Sequence, residues 1–206
     1  NVQVEVPGAY EVEDRDNKAP VVLPGLREWK GSTGTYALRA NTVIVANSKI
    51  EKNVADKMVQ FFKDVLKRDI EVRAGEAQPG DIALIIDSKL PELGSEGYLL
   101  TIDDAVVVRA PEKTGLLYGA ISTVQALYAD RDHANIPCGI ARDYPAYKVR
   151  GAFLDISRMA YPIEYLEEMA KYMAWFKMND FHVHLNDKAD QDYKAFRLES
   201  DLPNLT

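Results

Sequence analysis

Cysteine is nearly absent from this chain: Cys138 is the only one in 206 residues. A lone thiol cannot build an internal disulfide framework or a cysteine-based zinc site. Also missing is any apolar run long enough to span a bilayer. No concentrated basic face is visible either, and the net charge is -7, which argues against nucleic acid as a partner because phosphate neutralisation needs clustered Lys and Arg. Internal repeats and low-complexity tracts are absent. No leader is visible at Asn1, although processing would have removed one. What is present is 47% hydrophobic residues, enough for one good core or for one domain and part of another.

Read in order, residues 1–19 combine an alternating Val2, Val4 and Val6 with the acids Glu11, Glu13, Asp14 and Asp16. They read as an extended N-terminal arm or a disordered leader. Residues 20–24 and 31–34, rich in Pro and Gly, punctuate the start of a folded unit. Residues 36–38 and 42–46 look like a hairpin. Over residues 49–67, Ile50, Val54, Met58, Phe61, Phe62, Val65 and Leu66 draw one stripe at helical spacing, which predicts a surface helix on a sheet. Short strands are expected at 70–72, 81–86, 98–102 and 105–109, separated by turn residues. A second amphipathic helix covers 114–128, with Leu117, Ile121, Val124 and Leu127 on its buried side. Residues 136–147, carrying Pro137, Gly139 and Pro145, read as a linker. The expectation is an α+β domain over residues 20–143: a mostly antiparallel sheet with two helices.

The stretch KVRGAFLDISRMAYPIEYLEEMAKYMAWFKMNDFHVHLND, from Lys148 to Asp187, reads as strand, helix, strand. Residues 150–156 form an apolar run expected of a strand buried on both faces. Pro162 pre-sets a helical turn, and Leu166, Met169, Met173 and Phe176 follow at three- and four-residue steps. Residues 181–185 resume a period of two. Such a βαβ unit has parallel strands and carries its functional residues where strands end. Arg158 and Asp187 lie just past the two strands and are expected on the same rim.

These residues resemble glycoside hydrolase family 20, the β-N-acetylhexosaminidases. RGAFLDISR, the helix-starting proline and KMNDFHVHLND are similar to the family's first two barrel strands. Upstream, GYLLTI, TGLLYGAISTVQAL and ARDYPAY resemble the small α+β domain that precedes the barrel. The resemblance covers residues 20–206. It implies that residues 144–206 open a (β/α)8 TIM barrel that is truncated here, since a whole barrel takes about 250 residues. It also implies a retaining reaction in which the substrate's own 2-acetamido oxygen attacks the anomeric carbon, an exception to the two-carboxylate scheme. The Asp-Glu pair that steers the acetamide and protonates the leaving oxygen is expected beyond Thr206, so no catalytic residue is assigned and this stretch is expected to be inactive by itself.

By the same resemblance Arg158 grips the 3- and 4-hydroxyls of the terminal sugar, a task suited to a planar, non-titrating guanidinium. The competing role is an ion pair at the barrel mouth. Asp187 is expected in the pocket, with a loop-capping carboxylate as the alternative, and His184 beside them. His182 and His184, two apart on a strand, point to one face; His182 and Asp155 are read as structural neighbours of the site. No metal and no cofactor are expected, although a His-x-His at a strand end also opens metal-dependent barrel hydrolases. Where many family members continue D-D-Q-G-W-R, this chain has NDKADQDYKAFR, which leaves a lacto-N-biosidase-type disaccharide release open. A non-catalytic carbohydrate-binding module is the other alternative. The implied partner is an N-acetylhexosamine-containing glycan, in an extracellular, periplasmic or cell-surface location. Unmet barrel edges predict self-association.

Overall fold

Residues 17–157, 159 and 161–185 are described by the computed structural model, and the chain divides into two units, Val2–Lys148 and Val149–Thr206. The first unit holds strands β1 (Glu28–Ala37), β2 (Val43–Val45), β3 (Glu71–Arg73), β4 (Ile82–Ile86), β5 (Tyr98–Ile102), β6 (Val106–Ala110) and β7 (Asn135–Asp143), with helices α1 (Lys49–Phe61) and α2 (Lys113–Ala129). Its strands make one seven-stranded sheet in the order β1, β7, β5, β6, β4, β2, β3.

The sheet expected to be mostly antiparallel is mixed. Strands β1, β7, β5 and β6 pair antiparallel, whereas β6, β4, β2 and β3 pair parallel. The parallel half follows from α1, which carries the chain back across the sheet so that β3 re-enters alongside β2 in the same direction. Two further expectations are corrected. The segments before and after residue 40 form no hairpin, because β1 pairs with β7 while β2 pairs with β3 and β4. The supposed linker is strand β7, which among the described residues is the one strand paired with β1. Pro137 is tolerated because it lies opposite Thr35, beside the register shift in β1, outside the stretch of β7 that pairs with β5.

Alternation along β5 and β6 puts Tyr98, Leu100, Ile102, Val106, Val108 and Ala110 on the buried face. Helices α1 and α2 pack on the sheet and on each other. Helix α1 starts at a capping box: Ser48 accepts from the Glu51 amide and the Glu51 carboxylate accepts from the Ser48 amide. Its last predicted turn, Phe62–Leu66, widens into a π turn that ends at Lys67 in the left-handed region. Helix α2 is buried almost all round rather than on one stripe. Gly119 brings it onto the sheet: a Cβ there would sit 2.3 Å from Val108 Cγ1. Its outer side is strapped by the backbone of Leu23, which donates to Gln125 Oε1 at 2.7 Å and accepts from Nε2 at 2.9 Å.

Two buried polar knots hold the end of β7. Tyr98 Oη donates to Asp143 Oδ2 at 2.6 Å and lies 2.6 Å from Ser122 Oγ. Burial, and then the Asp143 charge, push the Tyr98 phenol well above its ordinary range. Beside it Arg142 Nη2 donates to Glu28 Oε1 at 3.0 Å, and Nε pairs with Oε2 at 2.9 Å.

The second unit contains β8 (Gly151–Asp155), α3 (Ile163–Trp175) and β9 (Asp180–His184). Strands β8 and β9 pair parallel, Gly151 opposite Asp180 through Asp155 opposite His184. Arg150 secures the return from α3: its amide donates to Asn179 Oδ1 and its Nε to the Lys177 carbonyl. Strand β8 is not buried on both faces, since Phe153 is 63% exposed. Of the predicted α3 stripe Met173 is buried and Leu166 and Met169 half-buried, while Phe176, which caps the helix end, is exposed.

Candidate functional site

Parallel register and a period of two decide what the rim at the end of β8 and β9 carries. Because Phe153 lies opposite His182 and Asp155 opposite His184, these four side chains leave the pair of strands on one face, with Ala152, Leu154, Phe181 and Val183 on the other. The Phe153 ring centre is 5.2 Å from that of His182 and 6.0 Å from that of His184, tilted in both cases. One aromatic ring therefore braces both imidazoles. The two histidines share a face as their spacing requires.

Asp155 closes β8. Its Oδ1 accepts from the Ser157 amide at 2.9 Å and from the Ser157 hydroxyl at 2.6 Å, a side-chain turn that takes the chain out of the strand. The ladder extends one bond further, from the Ile156 amide to the His184 carbonyl at 3.1 Å. Strand end and turn together fix the backbone immediately before residue 158. Arg158 and Asp187 themselves lie outside the described residues, so the rim is defined here by Asp155, Ser157, His182 and His184.

Reading the sequence missed two contributors. Phe153 was passed over; its place two residues before Asp155 was the available signal. Ser157 carries no motif of its own, and only the D-x-S spacing after a strand pointed to the turn. Among the described residues no group of three His, Cys, Asp or Glu side chains is placed to hold a metal ion, and no helix is long and apolar enough to cross a membrane.

Comparison with known proteins matches two adjacent segments to family models: residues 19–144 to glycosyl hydrolase family 20, domain 2, and residues 147–206 to the catalytic domain of the same family. The chain belongs to glycosyl hydrolase family 20. Within family 20 it is 26% identical over 198 residues to a β-hexosaminidase of Vibrio furnissii, covering 95% of this chain and 30% of the relative. It is 28% identical over 195 residues to a β-hexosaminidase of Porphyromonas gingivalis, covering 90% and 24%. The chain thus spans 24–30% of the length of these relatives. Among solved structures, an inactive mutant of a family 20 exo β-N-acetylglucosaminidase from Vibrio harveyi superposes with a TM-score of 0.74 at 18% identity, over 96% of this chain and 30% of that one. A mutant Streptomyces plicatus β-hexosaminidase in complex with GlcNAc gives 0.72 at 22% identity, over 85% and 36%. At these identities the likeness speaks for the fold alone.

Proposed function

We propose that this chain is the opening part of a glycosidase that removes terminal β-linked N-acetylhexosamine from glycans with retention of configuration, the substrate's acetamide serving as nucleophile. The observation that carries the reading is the pair of family 20 matches, accessory domain then catalytic domain, in consecutive segments of one chain. The named relatives are β-hexosaminidases, which supports the substrate class. In this reading residues 20–143 are the accessory domain, and β8, α3 and β9 are the first units of a (β/α)8 barrel whose site lies at the strand ends. Arg158 binds the ring hydroxyls of the terminal sugar, Asp187 accepts a hydroxyl beside it, and His184 lines the same pocket. Asp155 and His182 are positioning residues: the Asp155 turn sets the departure of the chain toward Arg158, and His182 is braced by Phe153. The Asp-Glu pair that polarises the acetamide and protonates the leaving oxygen comes from sequence outside these 206 residues. The enzyme works on glycans outside the cytoplasm.

The test uses the protein in a form long enough to hold a whole barrel. It should release 4-nitrophenol from the N-acetyl-β-glucosaminide with retention and should leave the corresponding β-glucoside untouched, because that substrate lacks the acetamide. Activity should survive chelators. Equal hydrolysis of the glucoside, or activity restored only by added zinc, would overturn the reading.

A further inference from the structure

The first unit contains an open cleft of about 480 Å³, in the size range of small-ligand sites. It is lined by Leu38, Arg39, Ala40 and Thr42 from the β1–β2 connection and by Phe62, Arg68, Asp69 and Ile70 from the end of α1 and the lead into β3. The connection is held still. The Thr42 hydroxyl accepts from the Arg39 amide at 3.0 Å and donates to the Gly80 carbonyl at 2.8 Å, and the Leu38 amide donates to the Ala134 carbonyl at 2.7 Å. The far wall is also tied: Arg68 Nη2 donates to the Asp132 carbonyl at 3.3 Å. The Arg39 side chain lies beside Gly80, where an added Cβ would sit 3.4 Å from its Cδ and Nη1, and its guanidinium has no hydrogen-bond partner among the described residues. In a chain of net charge -7, two arginines among the lining residues of one cleft give it a local cationic character. Asp69 adds a carboxylate that accepts from hydroxyl donors, which a bare inorganic anion lacks and a sugar supplies.

We propose that this cleft binds an acidic sugar residue, its carboxylate held by Arg39 and Arg68 and its hydroxyls by Asp69, with Leu38 and Ile70 against the apolar side of the ring. Planar guanidinium forks match a carboxylate in a way a lone ammonium cannot. The first unit would then favour glycans that carry a uronic or sialic acid. This inference does not depend on the catalytic reading, because binding is measured with no turnover.

The 206-residue chain, labelled with ¹⁵N, is titrated with methyl β-D-glucuronide, with methyl β-D-glucoside as its neutral counterpart, and with sodium sulfate. The glucuronide should give saturable amide shifts confined to residues 38–42 and 68–70, with affinity in the millimolar range, and the glucoside should bind about tenfold more weakly or not at all. Arg39→Gln, an exposed change that should leave the thermal midpoint unaltered, should weaken glucuronide binding about tenfold. Arg68→Lys, which keeps the charge and loses the fork, should do so by a smaller factor. Glucoside binding as tight as glucuronide, sulfate binding as tight as either, shifts outside the cleft, or no saturable shift at all would each overturn the proposal.

Discussion

Glu51 offers a quantitative handle on how the first unit is held together. Its Oε2 accepts from the amides of Asn47 at 2.8 Å and Ser48 at 2.7 Å, and its Oε1 from the amide of Ile86, the last residue of β4, at 2.9 Å. One carboxylate thus caps α1 and ties it to the sheet. Burial alone would push this carboxyl up, but the amides of Ser48, Ile86 and Asn47 with the Ser48 hydroxyl outweigh it and hold it below the ordinary range. Bonds to a charged group contribute about 1.5–3 kcal/mol each, less where water can replace the lost partner. Asn47 and Ser48 are exposed and regain water, whereas Ile86 is half-buried. Glu51→Ala should therefore cost about 3 kcal/mol, and Glu51→Gln, whose carbonyl still accepts, about half that. In a chain of this size the alanine variant should melt about 6–12 °C lower. Because the folded-state value is depressed, the charge stabilises the fold above the unfolded glutamate value, and this contribution is lost as pH falls through the folded one. Urea unfolding at pH 7 should separate wild type from Glu51→Gln, and the gap should close as the pH is taken below about 4. A gap that is absent at pH 7, or that persists unchanged in acid, would refute the reasoning.

Further outcomes are expected elsewhere. Tyr98→Phe removes a donor from buried Asp143, which keeps the Arg27 amide at 3.1 Å, and should cost about 1–3 kcal/mol in urea unfolding. Asp155→Ala deletes the turn before Arg158; in the longer protein it should lower kcat/KM at least about tenfold while Asp155→Asn, which still accepts, retains most activity. Exposed Phe153, Ile163 and Tyr172 should drive the 23.1 kDa chain to associate, read as a light-scattering mass above the monomer, and Phe153→Ser should shift it toward the monomer.

Helices were legible from the sequence because their signals are local. The stripe from Ile50 to Leu66 located α1, and Pro162 located the start of α3 within a residue. Strand pairing was less legible, since what decides it is distant. Nothing near Pro137 shows that β7 lies between β1 and β5, and the proline itself argued for a linker. The mixed sheet was hidden for the same reason: whether β3 runs with or against β2 depends on the crossover by α1, not on either strand's residues. At the rim, the shared face of His182 and His184 was readable from a spacing of two. The bracing ring of Phe153 was not, because it depends on the cross-strand register between β8 and β9.

The central claim is that consecutive parallel strands deliver Arg158, His184 and Asp187 to one sugar. A crystal structure of the barrel-containing protein with N-acetylglucosamine bound tests it most directly. The account predicts the Arg158 guanidinium within hydrogen-bond distance of two ring hydroxyls, with Asp187 and His184 around the same residue. Sugar bound elsewhere with Arg158 turned into an ion pair, or a metal ion seated on His182 and His184, would contradict it.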